Sequence, residues 1–452
     1  MKRSGLALIA ASSVLWCAAA GAATRPHYGG TLRIAMSAAP ASLDALEQPD
    51  SLATRNLSRL LFDTLVELDE RGIAQPALAV SWESEPSRQR WQFHLRSGLT
   101  FDDGTPLTPE AVAASLRAAN ANWTVSATEN GVIVVRDSAA PSLPAELALP
   151  RNCIAKRGGG KIHGTGPFTV TQWDPGKRVV LAAREDYWRG RPFASSIEVD
   201  LGKGLREQMI LLDLGKLDVI EVAAEQARQV ADENRSVQSS VPMELMALVF
   251  ARERQSVEDG RWRQALALSV DRGSLSTVLL QGGGEPAGGL LPAVITGYSF
   301  VFPVSVDLDR ARAIRNGLRP PAQWTLGYAA ADPLARVVAE RVALNARDAG
   351  LPVQPVGSGA AEVRLVRVPL ASLDARTALA ALASCLGLDQ PKVAGDSMED
   401  LYAAESLLLQ TQRVIPLLHL RTSFAAASHV KNRTAAQDGS WNLEDMWLED
   451  KP

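Results

Sequence analysis

The residue types that perform chemistry are sparse in this 452-residue chain, and their spacing argues against most reactions. The five histidines, His27, His94, His163, His419 and His429, never stand as a ligand-like pair, and His94 and His419 fall in strand-like alternation. Zinc or nickel needs convergent donors, so no metal and no cofactor is expected. No G-x-S-x-G, H-E-x-x-H or C-x-x-C occurs. A triad drawn from distant residues would leave no local trace, but nothing in the pattern points to an enzyme. Gly164-Thr165-Gly166-Pro167 lacks P-loop spacing and leads into a strand, so it reads as a structural turn. What remains is binding. Ser37, Ala38 and Ala39 end the first strand after the leader, and ligands in α/β sheets collect beyond the carboxyl ends of strands. Tyr298, which follows the Gly- and Pro-rich 282–297 segment, either lines a cleft or packs locally. These four are the candidate ligand-binding residues.

The elements that must hold them are specified locally. In the stretch from Trp91 to Asn120, Trp91, Phe93 and Leu95 alternate with polar residues as a strand with one buried face. Asp102-Asp103-Gly104 turns the chain, and Thr108-Pro109-Glu110 opens a helix carrying Val112 and Leu116. Before it lie a strand at 31–36, a helix marked by Leu57, Leu60, Leu61 and Leu65, and a turn at 69–72. After it come a hairpin about Glu129-Asn130-Gly131, a short helix at 143–149, a loop at 157–160 and strands on either side of Asp174-Pro175-Gly176. A helix from 207 closes at Gly215, and Val219–Val222 is a short buried strand. In the second half, Trp262 to Val270 and Asp271 to Leu279 read as two helices, and Asp332-Pro333 opens another that stops at Gly350. Val363–Val368 is a strand, 371–396 contains an alanine- and leucine-rich helix, and Leu401, Ala404 and Leu408 mark a late one. Val414–Leu420 is an apolar strand in which Pro416 implies an edge or a bulge.

The first 23 residues have Lys2 and Arg3, an apolar run too short to span a bilayer, and small residues up to Ala22 and Ala23. This is the form of a secretory signal peptide, so export to the periplasm and a soluble mature protein are expected. Trp16 stands where lipidation of Cys17 would need a small residue. Loss of Lys2 and Arg3 takes the formal charge from −3 to −5, which speaks against nucleic acid as a partner. Cys153 and Cys385 are far apart and read as unpaired thiols.

Seven phrases, in order, resemble the extracellular solute-binding proteins of the dipeptide/oligopeptide-binding family, the secreted receptors of ABC importers. They are GGTLRIAMSAAPASLD, PALAVSWE, FHLRSGLTFDDGTPLTPEAVAASL, GTGPFTVTQWDPGKRVVLAAREDYW, LDLGKLDVIE, WRQALALSVDRGSLSTVLLQGGGEPAGGLLP and IPLLHLRTSFAAASHVKNRTAAQDGSWNLEDMWL. The resemblance implies an α/β, periplasmic-binding-protein-like two-lobed fold with an extra subdomain on the first lobe. It maps residues 24–45, 164–245 and 425–452 to the first lobe, 46–163 to the subdomain and 246–424 to the second lobe. It also implies a monomer that captures a peptide or similarly sized solute by hinge closure and docks on ABC permease subunits. The family uses the loop at Ser37, Ala38 and Ala39 to hold ligand backbone. One feature departs from the pattern. Peptide-binding members carry an acidic and aromatic segment in the second lobe that pairs with the ligand's amino terminus, whereas Ala329 to Leu401 here contains no Phe, Tyr or Trp. Asp374 and Asp389 therefore receive no amine-anchoring role. Two readings follow: a receptor with an altered ligand, or a degenerate binding fold that senses or scaffolds in the envelope.

Overall fold

A computed structural model gives the fold of residues 25–449 apart from 233–234, 251–256, 319–322 and 358–360, so the leader lies outside the described residues. Eleven strands form one sheet that runs through both lobes. At one end, Phe168–Asp174, Arg178–Ala183, Ser196–Asp200, Thr31–Ala35 and Val219–Val222 lie side by side. Thr31–Ala35 is parallel to both of its neighbours, with Ile34 opposite Val199 and Val219. At the other end, Val363–Pro369, Trp324–Gly327 and Val353–Val356 complete the second lobe. Two long strands, Ser236–Phe250 and Val414–Ala426, belong to both halves.

These crossing strands pair antiparallel from Ser236 opposite Ala426 to Val249 opposite Val414. Their register shifts on both sides of Pro242, which faces Arg421. Proline has no N–H for the ladder, and a bulge bends and twists the strand that carries it. The ladder is thus interrupted at Pro242. Beyond it the first crossing strand is buried on both faces. Met246, Leu248 and Phe250 enter one core with Trp262, Trp324 and Val338. Met243, Leu245, Ala247 and Val249 enter another with Leu290, Leu379 and Leu401. A strand covered on both sides reads as a continuous apolar run, and MELMALVF is one.

The first lobe has its own core of Leu32, Ile34, Phe168, Val199, Phe424 and Trp441. Ala53, Leu57, Leu60 and Leu61 of the helix Leu52–Leu61 pack into that core, although the sequence boundary at 46 places this helix in the subdomain. The subdomain sheet runs Ala79–Ser84, Arg90–Leu95, Gly131–Val135, Thr124–Thr128, with Trp91, Phe93, Val112 and Leu116 inside. Thr108 caps the helix Pro109–Ala119 by accepting from the Ala111 N–H at 3.2 Å. The Gly164–Pro167 turn is structural: the Gly166 N–H donates to the Leu61 carbonyl at 3.0 Å. A Cβ on Gly164 would stand 1.8 Å from that same carbonyl oxygen, so only glycine fits there.

Three details differ from the sequence reading. Residues 157–160 are a tight hairpin rather than a loop, because Gly159 and Gly160, at φ 60° and 73°, make a two-residue turn between Ala155–Gly158 and Lys161–Gly164. The helix expected to run from Asp271 becomes a π-wound turn at Leu275–Leu279. The strand from Val414 is central rather than edge, so of the two alternatives for Pro416 the bulge holds, at a register shift opposite Ala247. Its carbonyl accepts from the buried Arg272 guanidinium at 2.8 Å. Cys153 is buried and Cys385 exposed, both free. Among the described residues no helix is long and apolar enough to cross a membrane.

His419, buried on the second crossing strand, has Nε2 3.0 Å from the Leu290 carbonyl, which fits the neutral ring with its proton on Nε2. Burial pushes its pKa down from 6.5 to about 4. As pH falls between those values, the unfolded chain takes a proton that the folded chain refuses, so stability falls. The loss is roughly 2–3 kcal/mol by pH 4.5. His419→Gln keeps an N–H for Leu290 but does not titrate, so urea denaturation at pH 7 and 4.5 should show that component missing from the variant.

Candidate cleft between the lobes

The loops that follow the strands of each lobe face one another across Pro242. The helix Leu52–Leu61 begins with a capping box, Ser51 with Thr54, and brings Arg55 to the interface. Arg55 is 4 % exposed. Its Nε lies 2.6 Å from Asp50 Oδ1, Nη1 2.8 Å from the Asp438 carbonyl, and Nη2 2.7 Å from the Leu370 carbonyl of the second lobe. One guanidinium thus ties helix, C-terminal segment and opposite lobe together. Two more contacts cross the gap. Arg88 pairs with Asp396 at 2.8 Å, and a Cβ on Gly72 would stand 2.6 Å from the Leu373 carbonyl oxygen. The lobes are in contact, and space remains between them.

Among the described residues, two chambers of about 450 and 750 Å³ lie there, with Ser58, Pro150 and Ala371 lining both. The smaller mixes charged and apolar side chains. Asp63 accepts from the Tyr187 hydroxyl at 2.9 Å and from Trp188 Nε1 at 3.1 Å. Burial raises the Asp63 pKa, and burial together with this carboxylate raises that of Tyr187. Arg59 pairs with Glu444 and Arg189 with Glu67, each at 2.7 Å. The larger chamber takes one wall from the helix Ala375–Cys385, whose Arg376, Thr377, Ala380, Ala381, Ser384 and Cys385 face it. Ala378, Leu379, Leu382 and Ala383 of the same helix face the core. Asp374 is its N-cap, accepting from the Thr377 N–H at 2.9 Å.

A second ionic cluster lies near the hinge. Arg367 pairs with Glu244 at 2.6 Å and with Asp332 at 3.1 Å. Burial raises the pKa of Glu221 in the first lobe, an effect that the charge of Arg367 partly offsets.

Ser37, Ala38 and Ala39 do end the first strand, but the residues lining the two chambers do not include them. The Ser37 N–H donates to the Glu221 carboxylate at 3.0 Å, and its hydroxyl donates to the same oxygen. Ala38 accepts from the Gly202 N–H at 3.2 Å, and Ala39 is exposed. Tyr298 lies outside both chambers. Its hydroxyl donates to the fully buried Glu405 at 2.8 Å, and its ring packs edge-on against Tyr402 and Phe302. Local packing is the alternative this position follows. Arg55, Asp63, Tyr187 and the alanine face escaped the sequence reading. The available signal was Arg55 and Arg59 one turn apart on a helix face flanked by leucines.

The family model of bacterial extracellular solute-binding proteins, family 5 Middle, matches residues 74–364. Protein XP55 of Streptomyces lividans is 25 % identical over 397 residues, which are 77 % of this chain and 72 % of XP55. The fold superimposes on AgaA of A. tumefaciens R10, solved with agropinic acid, at TM-score 0.78 and 19 % identity, over 94 % of this chain and 99 % of that one. It matches DppA of Helicobacter pylori, solved with the peptide STSA, at TM-score 0.78 and 17 % identity with the same coverage. With a model that spans more than half its length, the chain belongs to family 5 of the bacterial extracellular solute-binding proteins.

Proposed function

We propose that this protein captures a solute between its two lobes and delivers it to the permease subunits of an ABC importer, as a periplasmic monomer. The observation that carries this reading is the pair of half-open chambers lined by residues of both lobes, which are joined by a ladder whose register breaks at Pro242. A solute touching both lobes adds contacts that exist only when they close, so it shifts the population toward the closed form. Capture and release make and break no covalent bond, and no catalytic role is assigned. The volume suits a short peptide or a solute of similar size. AgaA with agropinic acid and DppA with a tetrapeptide support a cargo range wider than peptides for this fold. Ser58, Pro150 and Ala371, shared by both chambers, are the first residues assigned to cargo contact. Ser37, Ala38 and Ala39 belong to the rim near the hinge, where their loop shapes access.

Native mass spectrometry of protein recovered from its own periplasm should show a bound small molecule. Denaturing and refolding should strip it, and re-addition should lower the radius of gyration in X-ray scattering and raise the Tm. A saturating solute at a hundred times its Kd adds about 2.7 kcal/mol. An empty protein whose scattering no solute changes would leave the envelope scaffold as the reading.

Arg55→Ala gives a separate expectation. It removes the donor to Leu370 and Asp438 and the counter-charge of Asp50. The loss should be about 2–4 kcal/mol in denaturation, with a larger radius of gyration in the cargo-free protein. Unchanged scattering would mean that the bond to Leu370 does not hold the lobes together.

A further inference from the structure

The larger chamber has a chemical character of its own, set by how its charged side chains are already engaged. Both oxygens of Asp50 accept from the Arg55 guanidinium. Glu146 accepts from Arg136 Nη1 at 2.8 Å. Arg376 is turned toward the Gly395 carbonyl and Asp396. A cationic cargo group would have to share a carboxylate whose charge a guanidinium already balances. Arg151 differs. It is exposed at the chamber wall, and its Nη2 donates to the Ala119 carbonyl at 2.7 Å, which satisfies one donor and none of the charge. The same chamber is lined by the methyl groups of Ala380 and Ala381 and by Val393 and Leu149. The walls are thus largely apolar, their carboxylates are spoken for, and one guanidinium has donors to spare.

We propose that this chamber takes an amphipathic monoanion, a solute whose apolar skeleton lies on the alanine face of Ala375–Cys385 and whose acidic group meets Arg151. This rests on the capture reading above and names the class of cargo for it. An anion accepting from a guanidinium gains a charge-assisted bond, with geometry fixed by the planar fork. A zwitterionic peptide finds its carboxylate partner here but no free carboxylate for its ammonium.

Three fluorescent probes that share a pyrene and a four-carbon chain test this: 1-pyrenebutyrate, 1-pyrenebutanol and 1-pyrenebutylamine, titrated against the stripped full-length mature protein, with tetra-alanine as competitor. The butyrate should bind about tenfold or more tighter than the amine, the size of one charged hydrogen bond. Arg151→Gln should abolish the advantage of butyrate over butanol. Ala381→Trp, at a half-exposed position, should weaken all three by filling the chamber, with circular dichroism confirming the fold. Binding of the amine as tight as that of the butyrate, or an advantage that survives Arg151→Gln, overturns the proposal. Tetra-alanine that binds and compacts the protein while the pyrenes do not also overturns it, yet leaves capture standing. If neither the pyrenes nor tetra-alanine binds, the monoanion class fails, and the bound molecule sought by native mass spectrometry decides capture by itself.

Discussion

Everything in this fold depends on two strands shared by both lobes and on the break in their ladder at Pro242. Ser236–Phe250 and Val414–Ala426 are hydrogen-bonded to each other on either side of Pro242. Each half of that ladder anchors a separate apolar core, so each lobe is internally rigid. Close-packed interiors do not deform gradually. Pairing is interrupted at Pro242, while the chambers are lined by segments outside the ladder, near 45–77, 136–153 and 371–393. A continuous ladder would have made one stiff slab.

The electrostatics near the hinge follow from the same geometry. Charges brought into a closing cleft lose water, so they must arrive with partners. Arg55 finds Asp50 and two carbonyls, while Arg367 finds Glu244 and Asp332. Glu221 accepts from Ser37 in the first lobe. The charged groups named here thus meet across the boundary with their charges largely balanced.

Much of the fold was legible in the sequence, because its signals are local. Thr108 with Pro109, the Asn130-Gly131 turn, Asp332 with Pro333 and Gly350 each specify a boundary within a few residues. The crossing strands were only half legible. Ser236 to Pro242 reads as polar and broken, since its pairing partner lies more than 180 residues away and supplies the order that the local pattern lacks. The chambers were hardly legible at all. Their walls come from segments near 50–70, 136–151, 371–393 and 435–444, which only the tertiary fold brings together. Ser37 and Tyr298 were picked for position in the chain, and both side chains engage buried carboxylates, Glu221 and Glu405.

The helix Ala375–Cys385 carries a division of labour between its faces. Its leucines and inner alanines hold the second lobe together, while Ala380, Ala381 and Ser384 line the chamber and Thr377 also completes the Asp374 cap. Exchanges at Ala380, Ala381 and Ser384 can therefore reshape the chamber with little effect on the architecture. A receptor built this way is free to follow changing nutrients, generation by generation, on an unaltered chassis.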